Sequence, residues 1–336
     1  MTSRTRWRRL LKPLVPVYAG AITLKERALE RGWLGQRQLR HPVISVGSLS
    51  AGGAGKTPVV VMLAELLCER GFEVRILTRG YGRTGSPIER VDANGDARRF
   101  GDEPMMMAKR LPEVAVWVGS DRFAAGTLSE ADDEPGKKIV YLLDDGFQHR
   151  KLVRDIDVVL LTRQEFNDSL LPMGNLREPL KAMQRADVVV LREEEGFAGG
   201  ISGKAKTWFV RRELRFAEGA SRPKRAVAFC GLARPEGFFA MLEKAGVEVV
   251  AVEVFRDHHA YSEADIEVLA ELAKTHTADG FVTTEKDAVK LSAEMRERLG
   301  TLLVPELRLS LTQEQMGMEG LLELLEAKTA GRNPRP

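Results

Sequence analysis

The segment Ser50-Ala51-Gly52-Gly53-Ala54-Gly55-Lys56-Thr57 constrains this chain more than any other, because it lies between an apolar strand pattern, Val43 to Val46, and a helical pattern, Pro58 to Arg70. A glycine-rich loop ending in Lys-Thr wraps its backbone N–H groups around phosphates when it joins a strand to a helix. Gly52, Gly53 and Gly55 let the chain turn tightly with no Cβ in the way. Lys56 is then expected to reach the β and γ phosphates of a bound triphosphate, and the Thr57 hydroxyl to coordinate Mg²⁺. The usual pattern has glycine where Ser50 stands, although Gly47 is close by. Ile139-Val140-Tyr141-Leu142-Leu143 ends in Asp144-Asp145, the form of a Walker B strand whose carboxylate sits beside the magnesium of such a loop. Taken alone, two aspartates at a strand end also fit a turn or a helix cap.

From His41 onward short apolar runs alternate with amphipathic helical patterns, which predicts a parallel α/β sheet. Strands are expected at Val43 to Val46, Glu73 to Leu77, Val114 to Val118, Ile139 to Leu143, Ile156 to Leu161 and Val188 to Leu191. The fold class is therefore α/β, with a P-loop NTPase-like, mostly parallel sheet carrying helices on both faces and a smaller α/β C-terminal domain. The expected boundaries are a basic amphipathic segment over 1–40, a P-loop domain over 41–203, a polar linker over 204–224 that contains the β-prone run Thr207-Trp208-Phe209-Val210, the smaller domain over 225–328 and a tail over 329–336. Within the smaller domain the pattern predicts strands at Ala226 to Cys230, Val247 to Val254 and Gly280 to Thr284. Helices are predicted at Pro235 to Ala245, after Ser262 with Asp265 closing a capping box, and near Met316 to Ala327.

Charge and composition remove several function classes. With 51 Lys and Arg against 48 Asp and Glu, the surplus is too small to make nucleic acid the principal partner. Cys68 and Cys230 stand far apart and outside any C-x-x-C spacing, which supports neither a disulfide framework nor a zinc site. No apolar run reaches the roughly 18–20 residues a membrane-spanning helix needs. The N-terminal stretch carries Arg4, Arg6, Arg8, Arg9, Lys12 and Lys25, with Trp7, Leu10, Leu11, Leu14, Val15, Val17, Tyr18 and Ile22 interspersed. Pro13 and Pro16 begin or end a helical turn, and Tyr18, Ala21, Ile22 and Leu29 then share one face, which is expected to meet lipid while the basic groups face anionic headgroups. A signal peptide and an ordinary packed helix remain open alternatives at this point.

Further blocks carry a more specific resemblance. Val46-Gly47-Ser48-Leu49, Thr78-Arg79-Gly80-Tyr81-Gly82-Arg83, Gly101-Asp102-Glu103-Pro104 and Asp144-Asp145-Gly146-Phe147-Gln148-His149-Arg150 occur in that order. Leu171-Pro172-Met173-Gly174-Asn175-Leu176-Arg177-Glu178-Pro179, Phe229-Cys230-Gly231-Leu232-Ala233-Arg234-Pro235, Phe255-Arg256-Asp257-His258-His259-Ala260-Tyr261 and Thr283-Thr284-Glu285-Lys286-Asp287 follow. Together they resemble the tetraacyldisaccharide 4'-kinase family. The resemblance implies transfer of the γ-phosphate of ATP, with Mg²⁺, to the 4'-hydroxyl of tetraacyldisaccharide 1-phosphate in lipid A biosynthesis. It implies an acylated disaccharide lipid as substrate and a peripheral place on the cytoplasmic face of the inner membrane of a Gram-negative bacterium. It also implies Asp102 as catalytic base, oriented or tuned by His258, with Thr57, Asp144 and Asp145 at the metal and Gln148, His149, Arg177 and Glu178 in supporting positions.

Because Asp102 and His258 fall in different expected domains, closure of the second domain over the first is expected to assemble the dyad and exclude water. Read without the resemblance, Asp102 caps a helix through Met105-Met106-Met107 and the histidines are loop residues. Two other functions use the same features: a P-loop ATPase that switches a protein partner, and a non-catalytic module held to membranes by the basic N-terminus.

Overall fold

The structure, a computed structural model, describes residue 8 and residues 10–85, 87–197 and 204–331. Arg4, Arg6, Trp7 and Arg9 of the basic start, and all of the expected tail beyond Gly331, lie outside the described residues. Two compact units make up the chain, and neither is continuous in sequence. Unit 1 comprises Met1–Arg79, Glu113–Arg211 and Ser310–Pro336, and unit 2 comprises Gly80–Pro112 and Arg212–Leu309.

Unit 1 is built on β1 (Val43–Ser48), β2 (Phe72–Thr78), β3 (Ala115–Val118), β4 (Lys138–Asp144), β5 (Ile156–Leu160), β6 (Val188–Arg192) and β7 (Lys206–Arg215, of which the residues to Arg211 belong here). These strands lie in the order β7-β6-β5-β1-β4-β2-β3, each parallel to its neighbours. A parallel sheet covered on both faces needs strands that are apolar throughout. Every residue of β1 and β5 is accordingly buried, and β4 is buried from Ile139 onward. The register sets Val46 beside Asp144, so the loop leaving β1 starts next to the carboxylates that end β4. Helix Lys56–Cys68 follows that loop and buries Val59, Val60, Leu63 and Leu67.

Three expectations change in unit 1. The stretch expected as a linker holds β7, which pairs with β6 from Val188 beside Lys206 to Arg192 beside Val210. Trp208 and Val210 are buried while their neighbours are not, and this period-2 pattern with a polar outer side resembles an irregular linker in sequence. Helix Glu314–Thr329, expected in the smaller domain, buries Met318, Leu321 and Leu325 as part of unit 1. Helix Val15–Glu30 faces the other way from expectation: Tyr18 and Ile22 are half-buried and Leu29 is buried. Leu14, Val17, Ala21 and Leu24, spaced three or four apart, form the exposed stripe.

Unit 2 carries β8 (Ala226–Cys230), β9 (Val249–Val254), β10 (Gly280–Val282) and β11 (Leu302–Leu303) in the parallel order β9-β8-β10-β11. Val227 and Phe229 pack with Tyr261, Ile266, Leu269 and Phe281, whereas Ala228 and Cys230 pack with Phe238 and Leu242. Alternate β8 side chains therefore serve two layers. The capping box of Ser262 and Asp265 opens helix Glu263–Thr275 as expected. Residues 80–112, expected in the P-loop domain, belong to unit 2, where helix Asp102–Arg110 buries Met105 and Met107 completely.

Candidate active site

The phosphate loop of unit 1 is shaped by backbone geometry that its glycines permit. Gly52, Gly53 and Gly55 have φ values of 72°, 63° and 84°, in the left-handed region that side chains avoid. Ser50 needs no such freedom: it is fully buried, and its N–H donates to Glu165 Oε1 at 2.9 Å. That explains why serine replaces the usual glycine there. The Leu171–Pro179 block is held against the start of the loop, because Ala51 N donates to Asn175 O at 2.8 Å and Arg177 N to Leu49 O at 2.7 Å. This pairing places the Arg177 side chain beside Asp145.

Lys56 Nζ lies 3.5 Å from Asp145 Oδ1, and Arg177 grips the same carboxylate through Nη1 at 2.8 Å and Nη2 at 2.6 Å. Burial pushes the Asp145 carboxyl up, but the Arg177 hydrogen bonds and the Lys56 charge outweigh it and bring it down to about 2. Asp145 itself sits at a left-handed φ of 49°, uncommon for a non-glycine residue. Asp144, 4% exposed, accepts a hydrogen bond from Thr78 Oγ1 at 2.9 Å. Thr57 is buried in the first turn of its helix. A hydroxyl and two carboxylates are hard oxygen donors of the kind that suits Mg²⁺.

Unit 2 brings Asp102 and His258 together on its own. Gly101, at φ 95°, turns the chain into helix Asp102–Arg110, and a Cβ there would stand 3.2 Å from both Gly80 Cα and Tyr81 O. Asp102 is thereby the first helical residue, buried, with Oδ1 3.0 Å from the Glu103 amide. His258, at the strained φ of 59°, places Nδ1 2.9 Å from Asp102 Oδ2 and 3.1 Å from Oδ1. An ionised carboxylate can only accept, so Nδ1–H donates. Burial raises the Asp102 carboxyl, yet the His258 hydrogen bond and the Lys286 charge hold it below its ordinary value. The same hydrogen bond raises His258 against burial and the repulsion of Lys286. Since both residues belong to one unit, the dyad is complete without the closure between domains expected from sequence.

The model of the family described as tetraacyldisaccharide-1-P 4'-kinase matches residues 7–326. The chain belongs to the tetraacyldisaccharide-1-P 4'-kinase family. A relative of that name from Koribacter versatilis is 39% identical over 95% of this chain and 99% of its own length. One from Geobacter metallireducens is 37% identical over 90% of this chain and 94% of its own. A crystal structure of the Aquifex aeolicus member in complex with ATP superposes with a TM-score of 0.77 at 32% identity, covering 95% of this chain and 99% of that one.

In this family member the supporting residues separate by what they touch. Gln148 Nε2 donates to Ser48 O at 3.0 Å, which ties the loop after β4 to the end of β1. Burial, with Arg122 and Arg154 nearby, pushes His149 down to about 4 and keeps its imidazole neutral. Glu178 is buried and engaged by Arg185, so its carboxylate braces the chain beside Arg177. Sequence reasoning missed Glu165, fully buried, whose Oε2 also accepts from Thr162 N at 2.7 Å. It missed Arg192, which donates to Ala54 O within the loop. Glu165 leaves one local sign, its capping box with Thr162, but its reach to Ser50 and that of Arg192 to Ala54 span 115 and 138 positions and leave none. Lys286 lies within the Thr283–Asp287 block, where nothing local marks it as part of the site.

Proposed function

We propose that this kinase transfers the γ-phosphate of ATP to the 4'-hydroxyl of tetraacyldisaccharide 1-phosphate, giving ADP and the 4'-phosphorylated lipid A precursor. The observation that carries this reading is the match of nearly the whole chain to one kinase family, with its phosphate loop at the end of a central parallel strand. Amides of residues 52–57 cradle the triphosphate, and Lys56 neutralises its terminal phosphates. Thr57, Asp144 and Asp145 would hold Mg²⁺, which supplies charge neutralisation at the β and γ phosphates when bound. Arg177 keeps Asp145 ionised for that purpose.

A sugar hydroxyl is a weak nucleophile until its proton leaves. Asp102 takes that proton as the oxygen–phosphorus bond forms and the bond from the γ-phosphorus to the β-bridging oxygen breaks. His258 holds the carboxylate in place through Nδ1–H. Incubation with γ-labelled ATP, Mg²⁺ and tetraacyldisaccharide 1-phosphate in detergent micelles tests the reading. Label is expected in the lipid, and ATP turnover should rise when the lipid is added; turnover indifferent to lipid would favour an ATPase.

The substrate is a lipid disaccharide, and the N-terminal helix is the segment we assign to the cytoplasmic face of the inner membrane. Among the described residues no helix is long and apolar enough to cross a bilayer. Leu14, Val17, Ala21 and Leu24 are exposed along one line, and Leu10 and Trp33 are exposed nearby in sequence. Lys12 and Lys25 add positive charge beside that stripe. An apolar stripe flanked by lysines fits the boundary of an anionic leaflet. Replacing Leu14, Val17 and Leu24 with glutamate should abolish cosedimentation with anionic vesicles, and unchanged cosedimentation would remove the assignment.

A further inference from the structure

The block Thr283–Asp287 has no part in the chemistry described so far, yet its side chains are organised around the dyad. Thr284 caps the one-turn helix Glu285–Ala288, with Oγ1 accepting from Asp287 N at 3.1 Å. Glu285 accepts from Arg110 Nη1 at 3.2 Å and from Leu307 N at 3.0 Å, which ties this turn to the far end of the helix that Asp102 begins. Asp287 is fully buried with Lys290 Nζ 2.8 Å away. Lys286 is the residue of this turn that reaches the dyad.

Its Nζ lies 3.0 Å from Asp257 Oδ1, 3.3 Å from Glu103 Oε1, 3.4 Å from His258 Nε2 and 3.9 Å from Asp102 Oδ2. We propose that Lys286 is a positioning residue for phosphoryl transfer, fixing His258 as the neutral Nδ1–H tautomer and so keeping Asp102 a free base. The inference rests on the reading of Asp102 as the acceptor of the hydroxyl proton.

Hydrogen counting assigns the tautomer. An ammonium has only protons to offer, so the imidazole nitrogen facing it must present a lone pair. Nε2 therefore carries no hydrogen, and the ring proton resides on Nδ1, where both oxygens of Asp102 are in reach. The left-handed backbone at His258 and the Tyr81 ring, 4.9 Å from the imidazole centroid, fix the plane in which this happens. The charged groups around the dyad are Glu103 on its own helix, Asp257 on the histidine loop, and Lys286 and Lys290 from the Thr283–Asp287 side.

Without Lys286, the carboxylates of Asp102 and Asp257 would face the two ring nitrogens of His258 unopposed and favour an imidazolium. A proton on Nε2 would then neutralise the charge that Asp102 needs in order to accept one from substrate. Burial alone would drive Lys286 toward the neutral amine, but Glu103, Asp102 and Asp257 hold it charged.

The test uses the full chain with ¹⁵N-labelled histidine. A nuclear magnetic resonance titration should show His258, once neutral, with its hydrogen on Nδ1, and Lys286→Met should move the change from imidazolium to neutral ring to higher pH, whereas Lys286→Arg should leave it near wild type. In parallel, the acid limb of kcat against pH should move up by about one pH unit in Lys286→Met and stay near wild type in Lys286→Arg. Lys286→Arg thus controls for misfolding, since a packing role alone would lower stability and leave the limb unmoved. An Nε2–H tautomer in wild type, or an unmoved limb in a folded Lys286→Met protein, would overturn the proposal. Full activity in Asp102→Asn would instead overturn the base assignment, and the resonance spectrum would still decide the tautomer.

Discussion

Replacing His258 with alanine removes the two short contacts that Nδ1 makes with the Asp102 carboxylate, at 2.9 and 3.1 Å, from a carboxylate that is only 7% exposed. A hydrogen bond to a charged group contributes about 1.5–3 kcal/mol. If that bond acts only in orienting the base, its loss should lower kcat by roughly 10- to 150-fold. Asp102→Asn removes the base itself and should cost about 10²- to 10⁴-fold. Because the histidine acts through the aspartate, the double variant should be no slower than Asp102→Asn alone. The KM for ATP should change far less than kcat in all three, since neither side chain belongs to the phosphate loop. Initial rates of lipid phosphorylation in mixed micelles, at saturating and at varied ATP, measure each quantity. Multiplicative losses in the double variant, or a rise in KM for ATP without a fall in kcat, would refute the reasoning.

Glu165→Ala leaves the buried Ser50 and Thr162 amides without their acceptor and should cost about 1–3 kcal/mol in denaturant unfolding; an unshifted midpoint would show that water replaces the carboxylate. Arg192→Met releases the Ala54 carbonyl and should raise KM for ATP about tenfold with little change in kcat, and an unaltered KM would count against it. His149 is held down to about 4 in the folded chain, below the roughly 6.5 of an unfolded histidine. Its contribution is therefore complete above the unfolded value and is lost as pH falls toward about 4. After allowance for its partial exposure, wild type should lose on the order of 1 kcal/mol relative to His149→Gln over that window, with parallel unfolding curves as the contrary result.

The strands of unit 1 were legible because a buried parallel sheet writes itself as unbroken apolar runs, as in Val43–Ser48 and Ile156–Leu160. The phosphate loop was legible for a different reason: its glycines and Lys56-Thr57 are contiguous, so local geometry and local sequence coincide. Strand Lys206–Arg215 was legible only in part: Thr207-Trp208-Phe209-Val210 is β-prone, but Arg211, Arg212 and Glu213 make the half-exposed remainder look like a linker. The helix after Ser292 was not anticipated, although the serine accepts from Met295 N as a cap. The grouping of residues 80–112 with 212–309 had no local signal in sequence, and the pairing of Asp102 with His258, 156 positions apart, was implied only by the family resemblance. Lys286 was obscured by its neighbours: Thr284 with Asp287 three residues on looks like a helix cap, which it is, and nothing local says where the intervening ammonium points.

The direct measurement is the position of label in the lipid after incubation with γ-labelled ATP and Mg²⁺, for wild type and for Lys56→Ala. Wild type should place phosphate on the 4'-oxygen of the disaccharide, and Lys56→Ala should do so at least ~100-fold more slowly. Equal labelling by both proteins, or label at any other oxygen, would contradict the account.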